Sequence, residues 1–285
     1  MKLGVIRSLA GQHPVRLLCC TLGVARSAYD AAQRQSERPR ARENARLGVK
    51  VGELFEASGR TYGSPRLAAA LRRAGERCGR HRVARLMRQA GLRAKQKRRF
   101  RPRTTDSRHL CPIAPNHLAE RATPPTRPNE VWQADITYVA AKEGWLYLAG
   151  VLDACSRKIV GWAADDAMPT ALVARAFERA VRSQRPTPGL LHHSDRGSQY
   201  ASEAYHELLR RPGVQASMSR AGRCYDNAGR ESFWATLKTE LIDGQVYATR
   251  AEAKSAIFRY IEVFYNRVRL HGALGFQSPW TLSTT

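Results

Sequence analysis

Apolar and polar residues alternate with two different periods along this chain, and the change falls near residue 130. In the front part the spacing is helical. Residues 13–35 (HPVRLLCCTLGVARSAYDAAQRQ) read as a short helix, a turn at Gly23 and a second helix, with Leu17, Leu18, Leu22, Val24 and Tyr29 as the contacts between them. That is the layout of a helix-turn-helix, and a plain helical hairpin fits the same residues equally well. Residues 42–94 form a second helical block. Leu47, Val51, Leu54 and Phe55 share one face, and Ser64-Pro65 opens a helix whose face is Leu67, Ala70 and Leu71. Gly75 ends that helix, and Val83, Leu86 and Met87 mark the next, which Gly91 ends.

From Val131 the texture becomes that of strands. VWQADITYVA, WLYLAGVLDAC and KIVGWAA are consecutive β-branched and aromatic runs, separated by short turns at Lys142-Glu143-Gly144 and Ser156-Arg157. A helix follows over Thr170–Ser183, then a short strand at Gly189–His192, a helix over Ser202–Arg210 and a strand at Val214–Met218. Two further helices, about 227–242 and 249–266, close the pattern. Three antiparallel strands followed by alternating helix and strand predict an α/β fold with a mixed sheet, ribonuclease H-like, preceded by an all-α helix-turn-helix region. Trp145, Trp162 and Trp234 read as core or sheet-facing, and His192 and His193 as the end of their strand.

Charge changes the picture. The 285 residues carry a formal net charge of +24. Residues 1–125 hold 28 Lys and Arg against 8 Asp and Glu, whereas residues 126–285 hold 20 against 16. Such an excess attracts polyanions, because neutralising phosphates releases condensed counterions. The helix around Val83 carries Arg80, His81, Arg82, Arg85 and Arg88 on its outward face, and like charges there repel unless a polyanion lies opposite, so Arg80, Arg82 and Arg85 are candidate DNA contacts. The run RAKQKRRFRPR (93–103) adds Arg98 and Arg99, suited to a phosphate backbone without reading bases. The expected organisation is a helical DNA-binding region over 1–94, a basic, proline-rich linker over 95–128 and a catalytic core over 129–285. The six cysteines have no C-x-x-C spacing and read as reduced thiols. No run approaches the roughly 18 apolar residues that cross a bilayer, and the first twenty residues are too interrupted for a secretory signal. A cytoplasmic protein without membrane partners is expected.

Three acids stand out. Asp135 occupies the middle of the first strand, where a charge costs several kcal/mol unless it is paired or binds metal. Asp195 follows the strand GLLHH at its carboxyl end, where α/β sheets present ligands. Glu231 lies early in the helix DNAGRESFWATLKTEL, with 35 residues between it and Asp195. Lys238, seven positions on, projects the same way, because seven steps of about 100° return to nearly the same face. Phosphodiester attack needs an activated nucleophile and a neutralised leaving oxygen. Two hard cations roughly 3.5–4 Å apart supply both, and carboxylates are their preferred protein ligands. Singly, each acid has a bland explanation in an edge strand, a turn cap or a surface helix. Together they form a specific pattern.

VWQADITY, HHSDRGSQY, YDNAGRESFWATLKTEL and YNRVRLHGALGFQSP resemble the second-frame (OrfB) proteins of bacterial insertion sequences of the IS-three family, within the retroviral-integrase superfamily. The block YGSPRLAAALRRAG…GRHRVARLMRQAGL resembles the helix-turn-helix module that precedes their core. The likeness implies a transposase in which Asp135, Asp195 and Glu231 are catalytic and bind two Mg²⁺ ions, with Mn²⁺ as a substitute, and Lys238 contacts DNA near the cut. It implies double-stranded DNA partners (terminal inverted repeats and target), 3′-end exposure and strand transfer, a homo-oligomer on DNA, nucleoid association, and a first-frame (OrfA) product often fused by frameshifting. The competing expectations are a DNA-binding regulator without catalysis and a nuclease of the same fold that does not join strands.

Overall fold

The computed structural model describes residues 2–37, 39–95, 112–219, 228–242 and 244–283, with the side chains of 35–37 and 228–231 outside the description. It divides into two compact units, Met1–Ala94 and Lys95–Thr285.

The first unit is helical: α1 (Lys2–Leu9), α2 (Val15–Thr21), α3 (Arg26–Glu37), α4 (Pro39–Ala57), α5 (Ser64–Arg73) and α6 (Arg80–Gln89). α1 is an element the sequence pattern did not predict. Its Ile6 closes a small core with Leu18, Cys19 and Tyr29, a tertiary contact with no counterpart in local periodicity. Gly23 makes the turn between α2 and α3 at φ +60°, a conformation costly for residues with a Cβ. Leu47, Val51 and Phe55 of α4, Leu67 and Leu71 of α5, and Val83, Leu86 and Met87 of α6 are all buried. Ion pairs add to this packing. Glu76 binds Arg46 and Lys50, each at 2.6 Å, and these bonds hold its carboxyl pKa down at about 2.

The second unit is built on one five-stranded sheet in the order β3-β2-β1-β4-β5, with β1 Val131–Ala141, β2 Gly144–Asp153, β3 Ile159–Asp165, β4 Leu191–Ser194 and β5 Gln215–Met218. β1, β2 and β3 pair antiparallel, and β1, β4 and β5 pair parallel. This is the mixed, ribonuclease H-like sheet that the alternation predicts. A short helix, α7 (His117–Glu120), lies beside β4 and β5, where the Leu118 amide donates to Ser217 Oγ.

Period-two alternation divides β1 between two cores. Trp132 and Ala134 face α8 (Thr170–Gln184) and pack with Ala149, Val151, Ala176 and Phe177. α8 lies close on β3: a Cβ on Gly161 would stand 2.2 Å from the Ala176 carbonyl oxygen. Beyond it come α9 (Ser198–Ala201) and α10 (Glu203–Arg210). Val139 and Ala141 face the other way, with Leu146, Leu148 and Leu152, against α11 (Ala228–Leu237) and α12 (Arg250–Phe258) through Phe233, Trp234, Leu237 and Ile257. α11 and α12 each run on into π-helical turns, Lys238–Ile242 and Arg259–Tyr265, and α13 (Pro279–Ser283) follows.

The π-helical turns are tied down by buried polar groups. Arg269 grips Glu240 through Nη2 at 2.6 Å and Nε at 2.8 Å, and Tyr260 donates to the same carboxylate at 2.9 Å. Both partners of the ion pair are almost wholly buried. Asn266 accepts from the Ile159 amide and donates to the Ile159 carbonyl, satisfying the outer edge of β3. No helix among the described residues is long and apolar enough to cross a membrane.

Candidate active site

The register of β1 against β4 decides where the acids stand. Val131 pairs with Leu191, Trp132 with His192 and Gln133 with His193. Carried two residues further, the same offset sets Asp135 level with Asp195. Neighbouring strands lie about 4.8 Å apart, so two acids at that step can share a ligand. Asp195 is one residue past the end of β4, and its Oδ1 accepts the Gly197 amide at 3.0 Å, which fixes the loop that enters α9. Asp135 Oδ1 accepts the Ile136 amide at 2.9 Å.

α11 crosses the same face. Asp135 pairs across the antiparallel ladder with Gly150. Because Gly150 has no side chain, the Trp234 ring settles directly on the sheet there, and a Cβ at Gly150 would meet its Cη2 at 2.9 Å. Glu231 is three residues before Trp234 in α11, and its side chain lies outside the described residues. Among the described residues no three His, Cys, Asp or Glu side chains are grouped to hold a metal. The donors that are described suit a hard cation: the Asp135 carboxylate in β1, the Asp195 carboxylate just past the end of the neighbouring β4, and the buried Gln133 Oε1 two residues before Asp135, which has no hydrogen-bond partner among the described residues.

Lys238 begins the π-helical turn after α11, half-buried, with Nζ 4.9 Å from the Tyr138 ring centroid. Burial lowers its ammonium pKa, and the field of the Asp135 carboxylate offsets part of that shift. Arg80 and Arg85 are exposed on α6. Arg82 is engaged within its own unit, bonded to Glu43 at 2.8 Å and to Asn44 at 2.8 Å. Arg98 and Arg99 lie outside the described residues.

His192 and His193 end β4 as expected. His192 Nε2 is 3.1 Å from Tyr205 Oη, and His193 Nδ1 is 2.9 Å from Ser217 Oγ. Trp162 and Trp234 are buried, and Trp145, in β2, is the sheet-facing one of the three, half exposed. It stands at the tip of the β1–β2 hairpin, one step past the cover of α8. Gly150 was missed. A glycine inside an otherwise apolar strand run was the available signal.

The fold defines a protein of the integrase-core class. Family models described as integrase core domain match residues 125–224 and 212–279, and one described as HTH-like domain matches residues 41–100. A protein named "Insertion element IS600 uncharacterized 31 kDa protein" from Shigella sonnei is 47% identical over 264 residues, covering 92% of this chain and 96% of that one. "Transposase InsF for insertion sequence IS3A" from Escherichia coli (strain K12) is 38% identical over 283 residues, covering 98% and 97%. Among solved structures, the simian T-cell lymphotropic virus intasome in complex with PP2A regulatory subunit B56 gamma aligns at a TM-score of 0.48 and 14% identity, over 82% of this chain and 74% of that one. The chain belongs to the transposases of IS-three-family insertion sequences.

Proposed function

We propose that this transposase cuts DNA at the ends of its insertion sequence and joins the exposed 3′ hydroxyls to target DNA, using two Mg²⁺ ions held by Asp135, Asp195 and Glu231. The observation that supports the reading is the parallel β1–β4 register, which, extended two residues past Gln133–His193, brings Asp135 level with Asp195. Bound there, divalent cations would activate the attacking oxygen and neutralise charge on the leaving one. Asp135, Asp195 and Glu231 would together hold the ions. Gly150 and Trp234 seat α11, the helix that carries Glu231, on the sheet. Lys238 brings a point charge to the phosphate beside Asp135.

In this reading the helical unit 1–94 binds the terminal repeats through α6, with Arg80 and Arg85 exposed toward DNA, and 95–128 links it to the core. Arg98 and Arg99 in that link lie along the phosphates. Pairing two ends needs more than one copy of the chain on the DNA.

The test is Mg²⁺-dependent joining of end oligonucleotides, with and without a first-frame partner. Asp195→Asn should lose joining by about a thousandfold, as expected when several kcal/mol of charge stabilisation is removed, while end binding persists. Wild-type joining by the mutant would refute the assignment. Hydrolysis without joined products would identify a nuclease, and binding alone a regulator.

A further inference from the structure

We infer that α3 is a second recognition helix, seated in a major groove of the DNA end, where Arg26 reads a guanine. The inference rests on the reading that the helical unit binds the terminal repeats, and it adds a reader distinct from α6.

α1, α2 and α3 have a core of their own. Ile6, Leu18, Cys19 and Tyr29 are its buried members, and none of the residues packed against them comes from α4, α5 or α6. The segment also lies outside the HTH-like match at residues 41–100. Leu22 to Ala25 join α2 to α3, and Gly23 turns the chain there at φ +60°. The Val24 amide closes the turn by donating to the Cys19 carbonyl at 2.9 Å. A plain hairpin of two helices is not what the chain forms, because Ile6 of α1 completes the core. A short glycine turn between two helices, braced by a third, is the frame on which the second helix enters a major groove while the first crosses the phosphates.

α3 turns a suitable face outward. Ser27, Ala28 and Ala31 are exposed and small, so nothing bulky keeps the helix from the groove floor, and alanine methyls suit the methyl group of thymine. Arg26 is exposed on the same helix, and its Nε donates to both oxygens of Asp30, one turn along, at 3.1 and 3.2 Å. That contact occupies Nε alone. The carboxylate therefore braces the side chain and leaves its Nη1–Nη2 edge for a ligand. Two parallel N–H groups on that edge match the O6 and N7 acceptors of guanine.

Charge favours the same partner. Residues 2–34 hold five Lys and Arg against one acid, Asp30, which is committed to Arg26. Arg7 of α1 and Arg16 of α2 are exposed and suit phosphates. A protein partner would need large apolar side chains to bury, and α3 exposes none among its described residues.

The experiment measures binding of the full chain to end duplexes by fluorescence anisotropy, with each base pair of the terminal repeat replaced in turn. Among the pairs to which wild-type protein is sensitive, one G·C pair should weaken binding about tenfold or more when replaced, or when its guanine is 7-deazaguanine. Arg26→Ala should bind the native end more weakly by the same factor and lose sensitivity at that pair, while the other sensitive pairs keep theirs. Arg26→Lys should bind random DNA as wild type does and still lose that preference, because an ammonium cannot pair with both acceptors at once. Arg16→Ala should weaken binding to every sequence alike and reduce the salt slope by about 1. Both Arg26 variants change an exposed residue and should melt as wild type does. Arg26→Ala with every base preference intact would overturn the inference. So would an equal loss on all sequences, which is what a phosphate contact gives. Wild-type protein that bound its ends no better than random DNA would instead sink the end-binding reading, and the inference with it.

Discussion

Gly150→Ala adds one methyl group and should slow joining without weakening end binding. The new Cβ would lie 2.9 Å from Trp234 Cη2 and 3.1 Å from Cζ2, where ordinary contact begins at 3.4 Å. The ring would have to retreat by about 0.5 Å. It has little room to turn. Trp234 is 7% exposed and packs on Phe233 at 4.7 Å, which in turn packs on Tyr265 at 4.8 Å. The strain therefore passes to the helix that carries Glu231. A misplacement approaching 1 Å at a reacting centre costs up to about a hundredfold, so joining should fall between about ten and a hundredfold. Overpacking of this kind costs about 1–3 kcal/mol, and each kcal/mol moves the melting midpoint of a unit this size by about 2–4 °C. Single-turnover joining measured well below that midpoint separates geometry from unfolding, and fluorescence anisotropy reports end binding. Adding Trp234→Phe, a smaller ring, should recover part of the rate. Wild-type joining by Gly150→Ala, or a loss that merely tracks the folded fraction, would refute the coupling between this glycine and Glu231.

Two other measurements address the rest of the molecule. Burial, with smaller contributions from His193 and His206, lowers the His192 pKa to about 3, so the folded protein keeps it neutral while the unfolded chain protonates it near 6.5. The unfolded state then binds more protons below pH 6.5, and stability present above that pH should fall by about 2–3 kcal/mol between pH 6.5 and 4.5, as read by urea unfolding. His192→Gln should flatten that window; a flat wild-type profile would show that the imidazole is not held neutral. On α6, Arg80→Ala and Arg85→Ala should each weaken end binding and reduce the salt slope by about 1, leaving thermal stability unchanged. Arg82→Ala should instead lower the melting midpoint, because it frees Glu43 and Asn44. The reverse pattern would exchange the roles of these arginines.

Much of the core was legible because its strands alternate strictly and its turns carry charged and small residues. The placement of Asp135 in mid-strand could be read from VWQADITY alone. Which residue of β4 stands beside it could not, since that depends on which strands pair and in what register. The π-helical turns after Leu237 and Phe258 were hidden for a similar reason. They are bounded by the Glu240–Arg269 pair and by Asn266 bonding to Ile159, contacts between residues far apart in sequence. Whether Trp145 was core or merely sheet-facing stayed open, because an aromatic at a hairpin tip has the same local pattern whether or not a helix reaches over it.

The β1–β4 ladder acts as a vernier between distant parts of the gene. The segment from Ala154 to Leu190, which contains β3 and α8, can lengthen or shorten at its surface turns without altering which residues of the two strands meet. Deleting a single residue from 132–134 or from 192–194 would be different in kind, turning one aspartate to the opposite side of the sheet from the other. On the proposed reading of the acids, copies of this element can drift in loop length and still join ends, while a one-codon slip inside either short stretch would silence them.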